Sequence, residues 1–198
     1  ADLETGKTLD ERFGGYRSWV PLLADNGPFD HPELCQYLGA NLMNQTQFRQ
    51  AASQFSRTIA FQPTNFYARV SFVKCLLGGN WLDRAMAELD KIASDFPQMS
   101  DPEKVELTNA KASVLFKRND FAAAETMLKN ARQALPAQTA LSESLFELYR
   151  AAGQYSNALA TINMQLTRTP TNVVIHMQKA ELQVAARDFD GAHQTLDQ

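Results

Sequence analysis

The chain has 198 residues, 44% of them apolar and 21% charged, with a formal net charge of −3. That is ample material for a buried core, while no apolar run is long enough to span a membrane. The acidic pI near 5.6 and the lack of any lysine or arginine block disfavour a phosphate-seeking surface, so a soluble protein with no nucleic-acid partner and no membrane insertion is expected.

Residues 1–9 are polar and aperiodic and are expected to be disordered. Their Gly6, Lys7 and Thr8 imitate the tail of a phosphate-binding loop, but Ala1 stands where that loop needs glycine and no strand precedes it. Residues 10–31 carry Phe13, Tyr16, Trp19, Val20, Leu22 and Leu23, enough apolar surface for an irregular helical cap, with Pro21 confined to a first turn. From Pro32 a helix, turn and helix pattern begins and then recurs. Its copies span about 32–65, 66–99, 105–138 and 139–172, and a fifth, 173–198, stops inside its second helix.

The third copy is the clearest. Ala112, Leu115 and Phe116 share one helical stripe, Lys117 to Asp120 form a polar turn, and Phe121, Ala124, Leu128 and Ala131 make a second stripe. Leu38, Gly39, Leu42, Phe48, Ala51 and Phe55 fill the same places in the first copy, as do Leu145, Tyr149, Tyr155, Ala158 and Ile162 in the fourth and Ala180, Phe189, Ala192 and Leu196 in the fifth. Pro63 and Pro97 lie 34 residues apart, as do Pro136 and Pro170, whereas 39 separate Pro97 from Pro136. The five extra residues include Ser100, Asp101, Pro102 and Glu103; Asp101 reads as a helix cap, Pro102 as the first helical residue, and the next helix should gain about one turn. Asn65 and Asn172, each after a Pro-Thr pair, should cap the helices that begin just beyond them.

A pair of antiparallel helices of this size buries one face within the pair and leaves another bare, so the units need neighbours of their own kind. Small residues allow close crossings: Gly39 with Ala51, Ala112 with Ala124, Ala180 with Ala192; Val73 and Phe146 depart from this rule. A 34-residue period with small crossing residues, an aromatic after the turn and a closing proline resembles the tetratricopeptide repeat over Pro32 to Gln198. The resemblance implies an all-α, right-handed superhelical solenoid of antiparallel helix pairs. It also implies a protein-interaction module whose first helices line a concave groove for a peptide or helix of a partner.

By helical register, the groove residues would be Met43, with Gln36 and Ala40; Tyr67, Val70, Lys74 and Leu77; Asn109, Ser113 and Phe116; Glu143, Glu147 and Arg150; and Met177 and Glu181. Of the lysine, asparagine and arginine pattern of the carboxylate-binding version only Lys74 is matched, so an acidic tail is not the expected ligand. The early residues are mostly apolar and the late ones acidic, which suits a protein partner with apolar anchors at one end and basic residues at the other. A structural scaffold or assembly subunit of a larger complex, such as one of the cell envelope, using convex or terminal faces, is the alternative. Self-association through the incomplete last repeat is a further expectation, since Val184, Phe189 and Leu196 lack a following helix.

No catalytic constellation, cofactor motif or metal-ligand spacing is visible: His31, His176 and His193 are scattered, and Cys35 and Cys75 read as two buried thiols rather than a disulfide. Trp81 reads as a packing residue after its glycine pair. The protein is expected not to be an enzyme, and cytoplasm and periplasm suit it equally.

Overall fold

The structure, a computed structural model, describes residues 31–197. The segment 1–9 and all of the expected cap except His31 lie outside them, including Phe13, Tyr16 and Trp19. Among the described residues there are ten α-helices and no strand. They are α1 Pro32–Asn44, α2 Phe48–Phe61, α3 Phe66–Gly78, α4 Leu82–Asp95, α5 Asp101–Lys117, α6 Phe121–Ala134, α7 Thr139–Ala151, α8 Tyr155–Arg168, α9 Val173–Ala185 and α10 Phe189–Leu196. This is an all-α fold of repeated helix pairs.

The turn inside every pair is built the same way. One residue just after the first helix takes a left-handed conformation: Thr46 and Asn80 at φ 60°, Asn119 at 62°, Gly153 at 70° and Arg187 at 63°. The next backbone N–H then reaches back to the carbonyl five residues earlier: Gln47 to Leu42, Trp81 to Leu76, Asp120 to Leu115, Gln154 to Tyr149 and Asp188 to Gln183, at 2.8–2.9 Å. This is the bond that satisfies an orphan helix carbonyl when a helix ends in a left-handed residue. Asn and Gly accept that conformation readily, whereas Thr46 and Arg187 adopt it against their steric preference.

Prolines set the turns between pairs. Gln62, Leu135 and Thr169, each preceding a proline, have φ from −127° to −135° and ψ from 64° to 74°, outside the helical region that a following proline disfavours. Behind each proline the chain closes a tight turn, Asn65 N–H to Gln62, Gln138 to Leu135 and Asn172 to Thr169. Asn65 then accepts a hydrogen bond from Ala68 N–H at 3.0 Å, and Asn172 accepts from Val174 N–H at 3.0 Å, each capping its helix. The longer junction differs from expectation by one residue. Ser100, not Asp101, is the cap, because the Glu103 carboxylate accepts from both Ser100 N–H at 2.8 Å and Ser100 Oγ at 2.6 Å, fixing the boundary there. With 17 residues against 13 in α1, α3, α7 and α9, α5 does gain about one turn.

The chain divides into two compact units, Ala1–Glu88 and Leu89–Gln198, each with its own core. In the first, Leu34, Leu38, Leu42, Ala51, Ala52, Phe55 and Cys75 form the core. A Cβ on Gly39 would lie 2.9 Å from the Phe55 ring, which is why the smallest residue stands at that crossing. The Arg69 guanidinium donates to Glu88 Oε1 from Nε at 3.0 Å and Nη2 at 2.8 Å, a nearly buried ion pair binding α3 to α4. Cys35 and Cys75 are both buried and form no disulfide, and burial raises the Cys75 thiol from 9.0 to about 11, away from nucleophilic use. Trp81 lies against Gly79, whose added Cβ would stand 2.9 Å from the indole, so it packs over its own turn.

In the second unit one continuous core runs through Val105, Ala112, Ala124, Leu128, Leu141, Leu145, Phe146, Ala158, Ile162 and Leu182. Tyr149 joins α7 to α6: its hydroxyl donates to Glu125 Oε1 at 2.7 Å, and its ring lies 6.2 Å from that of Phe121. Burial and the Glu125 carboxylate both raise the Tyr149 phenol, while Lys129 and Tyr149 hold Glu125 below its ordinary range.

Candidate functional site

In the second unit the first helices α5 and α7 leave facing surfaces uncovered, and these enclose a groove. Asn109, Ser113 and Phe116 succeed one another at i, i+4 and i+7 on α5, while Glu143 and Glu147 occupy matching places on α7. These five line a single cavity of about 470 Å³. Ala112, Leu128, Ala140 and Leu148 supply apolar wall, and Lys117 and Ala151 stand at its far end. A second recess of about 370 Å³ continues the row between α7 and α9, with Glu147, Arg150 and Glu181 among its walls.

The charges are not equally available. Arg150 Nε donates to Glu147 Oε2 at 3.0 Å, an exposed i,i+3 pair that closes much of Glu147's charge within the helix. Glu143 and Glu181 are exposed and have no ion-pair partner among the described residues. Asn109 Oδ1 is buried and has no hydrogen-bond partner, although the backbone carbonyl of the same residue accepts from Ser113 Oγ at 2.9 Å. A buried amide oxygen left unsatisfied costs about 1–3 kcal/mol, which the packing around Asn109 offsets.

In the first unit the expected row is only partly surface. Tyr67 is 64% exposed, with its ring edge-on to Phe66 at 5.6 Å, Lys74 is exposed, and Met43 is half-buried. Val70 and Leu77 correct the expectation: at 2% and 8% exposure they belong to the core. The reason is that eight of the 13 residues of α3 are buried, on more than one side, so this helix has no single apolar stripe to place against a polar one. In the last repeat Met177 is 52% exposed and Glu181 is exposed.

Sequence reasoning missed a cavity of about 330 Å³ where the end of α8 meets the start of α9, with Met164, Arg168, Val174 and Glu143 among its walls. The signal was the pair Val173 and Val174, apolar residues where the preceding repeat has Thr139 and Ala140; at 68% and 63% exposure they serve no core. The histidines remain peripheral: His31 pairs with Glu33 at 3.0 Å, His193 with Asp197 at 3.4 Å, and His176 Nε2 lies 2.8 Å from the Pro170 carbonyl. Among the described residues no three His, Cys, Asp or Glu side chains are placed to share a metal ion.

No family model matches the chain, and no curated protein does. Solved structures do. A thermophilic TPR protein from Thermus thermophilus superposes with a TM-score of 0.64 at 16% identity, covering 83% of this chain and 88% of its own. A tetratricopeptide repeat protein from Parabacteroides merdae gives 0.63 at 11%, covering 91% and 69%.

The chain has the tetratricopeptide-repeat fold. The TPR-like repeats of a putative Podospora anserina kinesin light chain agree, with a TM-score of 0.63 at 14% identity over 84% of this chain and 93% of that one. Low identity with high coverage is what a TPR framework produces. The period, the turns and the small crossing residues carry the fold, and the groove-facing residues between them are free to differ.

Proposed function

We propose that this protein is a non-catalytic interaction module whose TPR groove holds a peptide or helix of a partner protein. The observation that carries this is the cavity between α5 and α7, where Phe116 and an apolar wall lie beneath two carboxylates. An apolar recess with a few placed polar groups is the usual form of a recognition site. Met177 adds an exposed apolar contact on α9, and Glu181 and Arg150 add polar ones. The partner segment that suits this row has apolar anchors and basic residues.

Selection of a random peptide library against the chain tests the reading. Selected peptides should lose at least tenfold in affinity on Phe116→Ala, a half-buried residue at the cavity, while the fold is unchanged by circular dichroism. Peptides indifferent to Phe116→Ala and Met177→Ala alike would refute it.

A scaffold reading, with the repeats stacked on another subunit, is favoured by a different observation: Val184, Phe189 and Leu196 are 50%, 64% and 64% exposed at one end of the second unit. Light scattering separates the two, because a scaffold face of this kind gives assemblies that Leu196→Asp dissolves and Phe116→Ala leaves intact.

A further inference from the structure

Resting on the groove reading, we propose that the cavity where α8 meets α9 seats three consecutive residues of the partner segment, an acidic, an apolar and a basic one, in that order from Arg168 to Glu143. The cavity holds about 330 Å³ and lies wholly within the second unit. Arg168 and Glu143 are the two charged residues of its walls. Both are exposed, and neither has an ion-pair or side-chain hydrogen-bond partner among the described residues, each other included. Counting outward from the turn that joins α7 to α8, Glu143 is level with Asn163, so Arg168 lies five residues, about 7.5 Å, nearer the α8–α9 junction. Val174 and Ile175 stand one repeat period after Ala140 and Leu141, which puts them between those two levels. Met164 joins them in the cavity. Val174 is 63% and Met164 48% exposed, so neither is taken up by the core. The recess thus runs from positive through apolar to negative.

The walls between the charges are also unspent. Ser142 lines the cavity and is 9% exposed, yet its hydroxyl does not return to the carbonyl four residues back, as those of Ser113, Ser144 and Thr161 do. It has no hydrogen-bond partner among the described residues and, unlike Asn109 Oδ1, stays within reach of solvent. Asn172 spends its Oδ1 on the N–H groups of Val174 and Ile175 and keeps its Nδ2. A hydroxyl and an amide donor of this kind suit the carbonyls of a peptide backbone. Extended backbone advances about 3.5 Å per residue, so the first and third of three residues stand about 7 Å apart, the offset between Arg168 and Glu143. The Arg168 guanidinium takes a carboxylate on two N–H groups, and two walls of opposite sign select against a segment that carries one sign of charge alone. Exposed charge pairs add little affinity each, so what these two set is the order of the segment.

The test uses the full chain, isotopically labelled, titrated under NMR with acetyl-Glu-Leu-Lys amide and with acetyl-Lys-Leu-Glu amide, which cover both chain directions. The better binder should shift the backbone of residues 142–143, 164–168 and 174–175. It should lose at least fivefold when its leucine is replaced by serine, and at least threefold on Arg168→Gln or Glu143→Gln, both at exposed positions. The double variant Arg168→Glu with Glu143→Arg should exchange the ranking of the two peptides. Equal binding of the two orders, a ranking that the charge swap leaves unchanged, or shifts centred on Phe116 or Glu181 would overturn the assignment. Selected peptides that need Phe116 but ignore Arg168→Gln would sink this inference and leave the groove reading standing. Peptides indifferent to every groove substitution would sink the groove reading, while the titration still decides this cavity by itself.

Discussion

Leu196 stands 34 residues after Ile162 and occupies the same place in the repeat, yet Leu196 is 64% exposed and Ile162 is 0% exposed. The earlier equivalents in the second unit agree with Ile162, for Leu128 is 1% and Leu89 0% exposed. A leucine in this place is thus a core residue only when a further helix lies over it.

That contrast leads to the first prediction. Ile162→Ala removes buried methyl groups and leaves a cavity, and should cost about 3 kcal/mol. Leu196→Ala, the same truncation at a solvent-facing site, should stay within about 0.5 kcal/mol. Urea denaturation of the two variants against the parent checks this, and equal losses would mean that the Leu196 face is covered in solution.

A second prediction concerns the left-handed turn residues. Nothing lies within 4 Å of a Cβ built on Gly153, so the only penalty for Gly153→Ala is its φ of 70°. That substitution should cost about 1 kcal/mol. Thr46→Gly should gain a similar amount, because a β-branched residue is poorly suited to a φ of 60°. Thermal midpoints should move in opposite directions for the two variants.

The third prediction is a pH dependence. Hydrogen bonds from the Ser100 side chain and then from its backbone lower the Glu103 carboxyl below its ordinary value of 4.5. A group lowered in the folded state contributes stability above its unfolded pKa and loses it as pH falls through the folded one. The parent should therefore be more stable than Glu103→Gln at pH 7. The difference should shrink only below pH 4.5, once the carboxylate itself takes a proton. Melting curves from pH 7 to pH 3 would show it; a difference independent of pH would assign the effect to shape rather than to charge.

The framework was open to sequence reasoning because it is set by local rules repeated five times. Proline fixes the backbone before it, asparagine caps the next helix, and a small residue must stand where two helices cross, as Gly39 does under Phe55. Five added residues before α5 had to lengthen something, and the helix took four of them. The groove was less legible, because facing it depends on what neighbours cover rather than on spacing. Val70 and Leu77 have the same register as Asn109 and Phe116 but lie on a helix that is apolar on several sides. The cap at Ser100 escaped because Asp101 is as good a cap by residue type, and only the reach of Glu103 decides between them. The free state of Glu143 against the paired state of Glu147 required side-chain positions, since both face a rim.

The most direct measurement is site-specific photo-crosslinking of a selected peptide from within the groove. A photoreactive residue at Ser113, exposed on the cavity wall, should capture the peptide in high yield, and one at Ala122, exposed on α6 away from that cavity, should not. In the same assay Glu143→Lys with Glu147→Lys should slow capture and weaken its salt dependence, whereas Phe116→Ala should shorten the lifetime of the complex. Capture from Ala122 with none from Ser113 would place the partner on the second helices and contradict the groove account.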